Sequence, residues 1–126
     1  MNNESLKIFI KGVDQFNLKN YYDSHEYFED IWINHHLDNR LFVQGLIQLS
    51  VAYFHISNNN KNGAMSLFKK SIKKLNNDNN DNLISNINNV VDSAYKSYNY
   101  LESIDNMHEF DWTLAPKLKL SDSISK

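Results

Sequence analysis

Three glycines and one proline stand among 126 residues, and this scarcity constrains the fold more than any other feature. Glycine and proline punctuate a chain into turns, and all-β folds need many of them. A chain so poor in both is predicted to run in long helices with few connections. Its hydrophobic share of 41% and aromatic share of 13% suffice for one core without metal or disulfide staples. The length suits a single domain. Cysteine is absent, which excludes disulfides and Cys-ligated zinc and leaves the redox compartment open. A net charge of -2 gives no electrostatic reason to expect nucleic acid. The lysines at 69, 70, 73 and 74 form one local basic cluster, read as a solvated helix face.

Hydrophobic spacing places five helices, at about 4–18, 21–36, 41–57, 61–75 and 83–103. The third carries apolar residues around its whole circumference, which belongs at the centre of a bundle. Asp23 or Ser24 is expected to cap the second helix, and His35-His36 to sit at its negative end. Residues 76–82 read as a polar linker. The expected class is therefore all-α, a single-domain bundle of about five helices over 1–104. An irregular tail follows at 105–126, extended or partly disordered. Pro116 disfavours helix there, and Phe110 and Trp112 are expected to pack on the bundle. No apolar run reaches the length of a membrane span, and the N-terminus lacks a signal-peptide pattern.

Two neighbouring segments, His25 to Trp32 and Gln44 to Gln48, set hydrogen-bonding side chains into stretches that otherwise read as buried helix. Buried polar groups are costly unless paired. His25 and Glu29 lie i, i+4 on one face, Trp32 continues that face, and Glu26 lies at its edge. Gln44, Gln48 and His55 form a line on the third helix. Consecutive helices joined by a short loop are antiparallel neighbours, so Glu29 or Trp32 should face Gln44 or Gln48. His25 should approach the end that holds His55. The set His25, Glu26, Glu29, Trp32, Gln44, Gln48 and His55 supports three readings. It can be a hydrogen-bonded network that fixes helix register, with or without a small-molecule pocket. It can hold a divalent metal through His25, Glu29 and His55. It can supply acid and base without metal, Glu26 or Glu29 being the base. Known metal motifs fail: Glu29 stands where a His-Glu-x-x-His site needs its second His. No Glu-x-x-His segment of the di-iron kind occurs.

Phe16-Asn17, Tyr21-Tyr22-Asp23-Ser24-His25-Glu26, Glu29-Asp30-Ile31-Trp32, Gln44-Gly45-Leu46-Ile47-Gln48-Leu49, His55 and Gly63-Ala64 occur in that order. Together they resemble the small helical family called domain of unknown function 309, over residues 16 to about 75. The resemblance implies an all-α fold of roughly five helices and no reaction. It implies that His25, Glu26, Glu29, Trp32, Gln44, Gln48 and His55 occupy signature positions. One departure is visible: Leu18-Lys19-Asn20 stands where the family commonly carries a glycine before the aromatic residue. The C-terminal third matches poorly.

The function expected from these observations is a small binding or interaction module with a polar pocket or network between helices two and three. The alternative is a metal-dependent or acid/base hydrolase using His25, Glu26, Glu29 and His55. A third reading is a structural subunit with Tyr21, Tyr27, Tyr98 and Tyr100 as exposed interface aromatics. A protein partner or a homo-oligomer fits the first and third readings, and no cofactor is required unless a divalent metal binds. Asparagine is abundant and Arg40 is the sole arginine, a bias expected of AT-rich coding sequence. It points to a low-GC bacterium, a cyanobacterium or an organelle, with a cytoplasmic or plastid-stroma location.

Overall fold

The structure, a computed structural model, describes residues 1–76 and 83–124. The predicted stripes form α1 (Asn3–Asn17), α2 (Tyr21–Asn34), α3 (Arg40–Ser57), α4 (Lys61–Leu75) and α5 (Ile87–Glu102). Short 3-10 turns follow at Met107–Glu109 and Trp112–Leu114. No strand forms among the described residues, and the chain is an all-α single domain with a short irregular tail. No helix among them is long and apolar enough to cross a membrane.

Short loops make sequence neighbours into spatial neighbours. Each helix packs chiefly against the next: α1 on α2, α2 on α3, α3 on α4, α4 on α5. α3 is central, burying Phe42, Val43, Leu46, Leu49, Ala52, Tyr53 and Ile56. It is not covered on every side, because Leu41 stays 56% exposed.

Small residues let these helices meet closely. A Cβ at Gly12 would lie 2.6 Å from Cε1 of Phe28, a ring with no exposed surface. A Cβ at Gly45 would lie 2.8 Å from Cδ2 of Leu75, where α4 crosses α3. Beside Gly12, Ser24 Oγ donates to the Gly12 carbonyl at 2.8 Å and lies 3.4 Å from Ser50 Oγ. Ser50 Oγ donates in turn to the Leu46 carbonyl at 2.9 Å. This buried hydroxyl seam joins α1, α2 and α3. Ser24 therefore ties helices together instead of capping α2. The cap position belongs to Asn20, whose side chain makes no capping bond and donates to Gln15 Oε1.

Other boundaries also differ from the spacing. α2 ends at Asn34, and His35 is already extended, so the His35-His36 pair lies beyond the helix. Leu37 and Asn39 of the following loop are buried. α5 starts at Ile87 because Leu83 and Ile84 are taken by the tail. Ile84 bridges Leu120 in antiparallel fashion, Ser85 N–H donates to the Lys119 carbonyl, and Ser121 N–H donates to the Leu83 carbonyl. The linker expected at 76–82 lies, from residue 77 on, outside the described residues, as do the last two residues.

Two asparagines hold the tail as a partner strand would. Asn17 donates to the Leu118 carbonyl at 2.9 Å and accepts from Leu118 N–H at 2.7 Å. Asn86 does the same for the Lys117 carbonyl and Lys119 N–H. So anchored, the tail buries Met107, Phe110 and Leu118 in the common core. Trp112 is half-buried and stacks over Tyr21 with ring centroids 6.0 Å apart.

Candidate functional site

α2 and α3 run antiparallel, and their apposed halves frame a groove of about 360 Å³. Glu29, Trp32 and Ile33 line it from α2; Gln44, Ile47 and Gln48 line it from α3. The helical spacing that set Glu29 and Trp32 on one face thus brings them opposite the two glutamines. Ile33 is 62% exposed at the rim. The side-chain oxygen Oε1 of Gln48 is buried and has no hydrogen-bond partner. Burial without a partner is rare for such a group and costs free energy.

A reciprocal pair closes the α2–α3 turn beside the groove. Trp32 Nε1–H donates to the Arg40 carbonyl at 3.1 Å, and Arg40 Nη1 donates to the Trp32 carbonyl at 2.7 Å. The guanidinium lies 4.2 Å from the indole centroid, within cation–π range. The sole arginine therefore fixes the orientation of Trp32, a role its isolation in the sequence did not reveal.

The remaining candidates sit apart from the groove. His25 Nδ1 contacts the Tyr22 carbonyl at 2.5 Å, and its Nε2 lies 3.7 Å from Glu29. Glu26 is exposed and borders a hollow shared with Asp23, Tyr27 and Asp30. Ring contacts run from His25 to Tyr22, from Tyr22 to Phe54 and from Phe54 to His55, so aromatic rings stand between the two imidazoles. His55 Nδ1 is 3.4 Å from the Asn60 amide, and Asn60 caps α4 by accepting from Gly63 N–H. Desolvation holds the His55 pKa below its ordinary value. These contacts give His55 and Gly63 a part in the α3–α4 turn.

Inside the candidate set the one polar contact among the described residues is the His25–Glu29 pair. His25, Glu29 and His55 do not come together: no group of three His, Asp or Glu side chains among the described residues is arranged to hold a metal. Register is fixed elsewhere, by the Ser24–Gly12–Ser50 seam and by Tyr53, whose hydroxyl meets Ser97 Oγ at 2.8 Å. Sequence reading passed over these groups because Ser in a helix carries no periodic signal.

Tyr21 reverses its expectation. It is buried, with 3% of its surface exposed, and its hydroxyl has no partner. Its ring packs against Phe16 at 5.1 Å and Tyr53 at 5.2 Å. Tyr27, Tyr98 and Tyr100 are half-buried, whereas Tyr22 and Tyr95 are the exposed ones. The left-handed φ of 65° at Lys19 makes the turn before Tyr21. Glycine adopts that conformation without steric cost, so the turn keeps the geometry a glycine would give it.

No curated protein and no solved structure matches the chain significantly. A family model does match, over α1 from Phe9 through α2, α3 and the first half of α4. Those helices hold the groove, the Ser24 seam and the Asn60 turn, and the family model matched over residues 9–67 is described as Domain of unknown function (DUF309).

Proposed function

We propose that the chain is a binding module whose α2–α3 groove takes a basic segment of a protein partner. The observation that carries this is the buried, unpartnered Gln48 Oε1 in a groove with an exposed isoleucine at its rim. An orphaned acceptor is satisfied when a partner brings a donor to it. Trp32 and Ile33 offer an apolar wall, and Arg40 holds the indole in place. Rigid aromatic anchors of this kind are enriched at interfaces. Charge selects the partner's sign: Glu29 lines the groove, α2 beyond it carries Asp23, Glu26 and Asp30 and no lysine or arginine, and the one nearby cation, Arg40, is engaged on the Trp32 ring. The opposing field favours a segment with Lys or Arg beside one bulky apolar residue. On the AT-rich compositional bias, we assign such a module to a bacterial cytoplasm or a plastid stroma.

The test is selection of binding peptides from a displayed random library, followed by titration of the enriched peptides. Enriched peptides are expected to pair Lys or Arg with Leu, Ile or Phe. Their binding should weaken at least about tenfold, or about 1.4 kcal/mol, in Ile33→Asp. Glu29→Gln should weaken it less and reduce its salt dependence. Equal binding to Ile33→Asp, or no enrichment at all, overturns the reading. Concentration-dependent self-association abolished by Ile33→Asp would assign the groove to a second copy, whose α4 lysines would then be the basic segment, and would overturn the separate partner.

A further inference from the structure

The opposite end of the α2–α3 pair holds a second hollow, of about 410 Å³, where the α1–α2 turn, the end of α3 and the tail converge. Tyr21 and Trp32 are eleven residues apart on α2, so this hollow lies roughly 16 Å along the helix from Trp32 in the groove. We propose that it binds a small organic anion, one that carries a carboxylate or phosphate on an apolar body.

The central feature is the Tyr21 hydroxyl. Tyr21 lines the hollow, and its hydroxyl is buried behind that wall with no partner among the described residues. A phenol offers one O–H donor and one acceptor oxygen. Burial raises its pKa, so the group stays protonated and able to donate. Two basic side chains, Lys19 and His108, share the lining, and no carboxylate does among the described residues. Asp23 borders the adjoining hollow and the one beside Glu26, not this one. The Asn59 amide adds a further donor. A donor set with a cation and without an acid selects for negative oxygen. Met107 and the half-buried Trp112 form an apolar part of the lining, which an inorganic ion would leave unused. The volume, about 410 Å³, lies at the low end of the roughly 300–1,000 Å³ typical of small-molecule sites, which suits a metabolite.

Lys19 and Asn59, the non-glycine residues in the left-handed region among those described, with φ of 65° and 57°, both line this hollow. Each closes the C-terminal turn of a helix, Lys19 that of α1 and Asn59 that of α3. The tail completes the wall, held there by Asn17 on Leu118, while Asn106 caps its first turn by accepting from His108 N–H. The C-terminal segment therefore contributes His108 and Trp112 to a site that also uses the DUF309 helices.

The experiment is calorimetric titration of the full chain with phenyl phosphate, benzoate and inorganic phosphate. Trp112 emission is followed in parallel in a Trp32→Phe background. Saturable binding of phenyl phosphate or benzoate, with a change in Trp112 emission, is expected. Tyr21→Phe and Lys19→Gln should each weaken it at least about tenfold. Ile33→Asp should leave it unchanged, which separates this site from the groove. Inorganic phosphate should bind at least about tenfold more weakly than phenyl phosphate for want of an apolar body. Binding of neither organic probe at millimolar concentration overturns the proposal. So does binding that Tyr21→Phe leaves intact, or inorganic phosphate binding as tightly as phenyl phosphate.

Discussion

Tyr21 and Tyr53 stack with ring centroids 5.2 Å apart, yet they belong to regions that treat polar groups in opposite ways. In the interior, buried hydroxyls are paired across helices. Ser24 reaches the Gly12 carbonyl and lies 3.4 Å from Ser50 Oγ, and Tyr53 meets Ser97. Beside the two hollows along the α2–α3 pair, the Tyr21 hydroxyl and Gln48 Oε1 are buried without partners among the described residues. Paired groups hold a single register, because slipping a helix would break them. Groups with no partner in the protein destabilise it unless another molecule brings them one. The difference separates what fixes this fold from what it offers to other molecules.

The largest effect should come from the interior. Gly12→Ala puts a Cβ 2.6 Å from Cε1 and 2.8 Å from Cδ1 of Phe28. Phe28 has no exposed surface and packs on Phe9 with centroids 5.5 Å apart, so it has little room to yield. Separating α1 from α2 would also stretch the Ser24 bond to the Gly12 carbonyl. Overpacking of this kind costs about 2–3 kcal/mol, read as a lower urea midpoint with an unchanged slope. A wild-type midpoint would show that the α1–α2 contact is looser than the interior described here.

The second effect belongs to Tyr53→Phe. It leaves Ser97 Oγ without its phenol partner in a fully buried place. The expected loss is about 1–2 kcal/mol. Alkaline pH probes the same burial. Both phenols have pKa values raised above their ordinary 10.0 by desolvation. The folded chain keeps these protons while the unfolded chain releases them near pH 10. Unfolded chains then bind fewer protons, so stability falls with rising pH. The contribution is complete below about pH 10 and is lost as pH climbs past it. Tyr53→Phe removes one of the two phenols and should flatten that decline. A decline equally steep in the variant would assign it to other groups.

Much of the fold was legible because helices announce themselves by apolar spacing, and four of the five helices were placed within two residues at each end. α5 was misjudged at its start: Leu83 and Ile84 fit the stripe, but their backbone pairs with residues 119–121. That pairing depends on Asn17 and Asn86 gripping the tail, and a long-range asparagine clamp leaves no periodic trace. The groove was partly legible. Glu29, Trp32, Gln44 and Gln48 share it as the i, i+4 lines required, whereas His25 and His55 are kept apart by Tyr22 and Phe54. Helical faces specify which side of a helix a residue occupies, and they do not specify which ring fills the space beyond it. Tyr21 was misread as exposed for a related reason. Its burial comes from the tail, since Trp112 lies over it from ninety-one positions away.

The smallest effect sharpens the comparison most. Tyr21→Phe deletes a hydroxyl that has no partner to lose. The ring contacts to Phe16, Tyr53 and Trp112 persist, because each is made by the ring and not by the oxygen. The free protein should therefore change by less than about 0.5 kcal/mol, or gain stability by shedding an unsatisfied donor. Chemical denaturation of Tyr21→Phe beside Tyr53→Phe measures this under one set of conditions. Two equal losses would mean that the Tyr21 hydroxyl is paired in solution, and the contrast between interior and ends would collapse. A silent Tyr21→Phe combined with weakened anion binding would locate the value of that hydroxyl outside folding. A buried phenol that does nothing for the free fold and something for a ligand has been retained for the ligand.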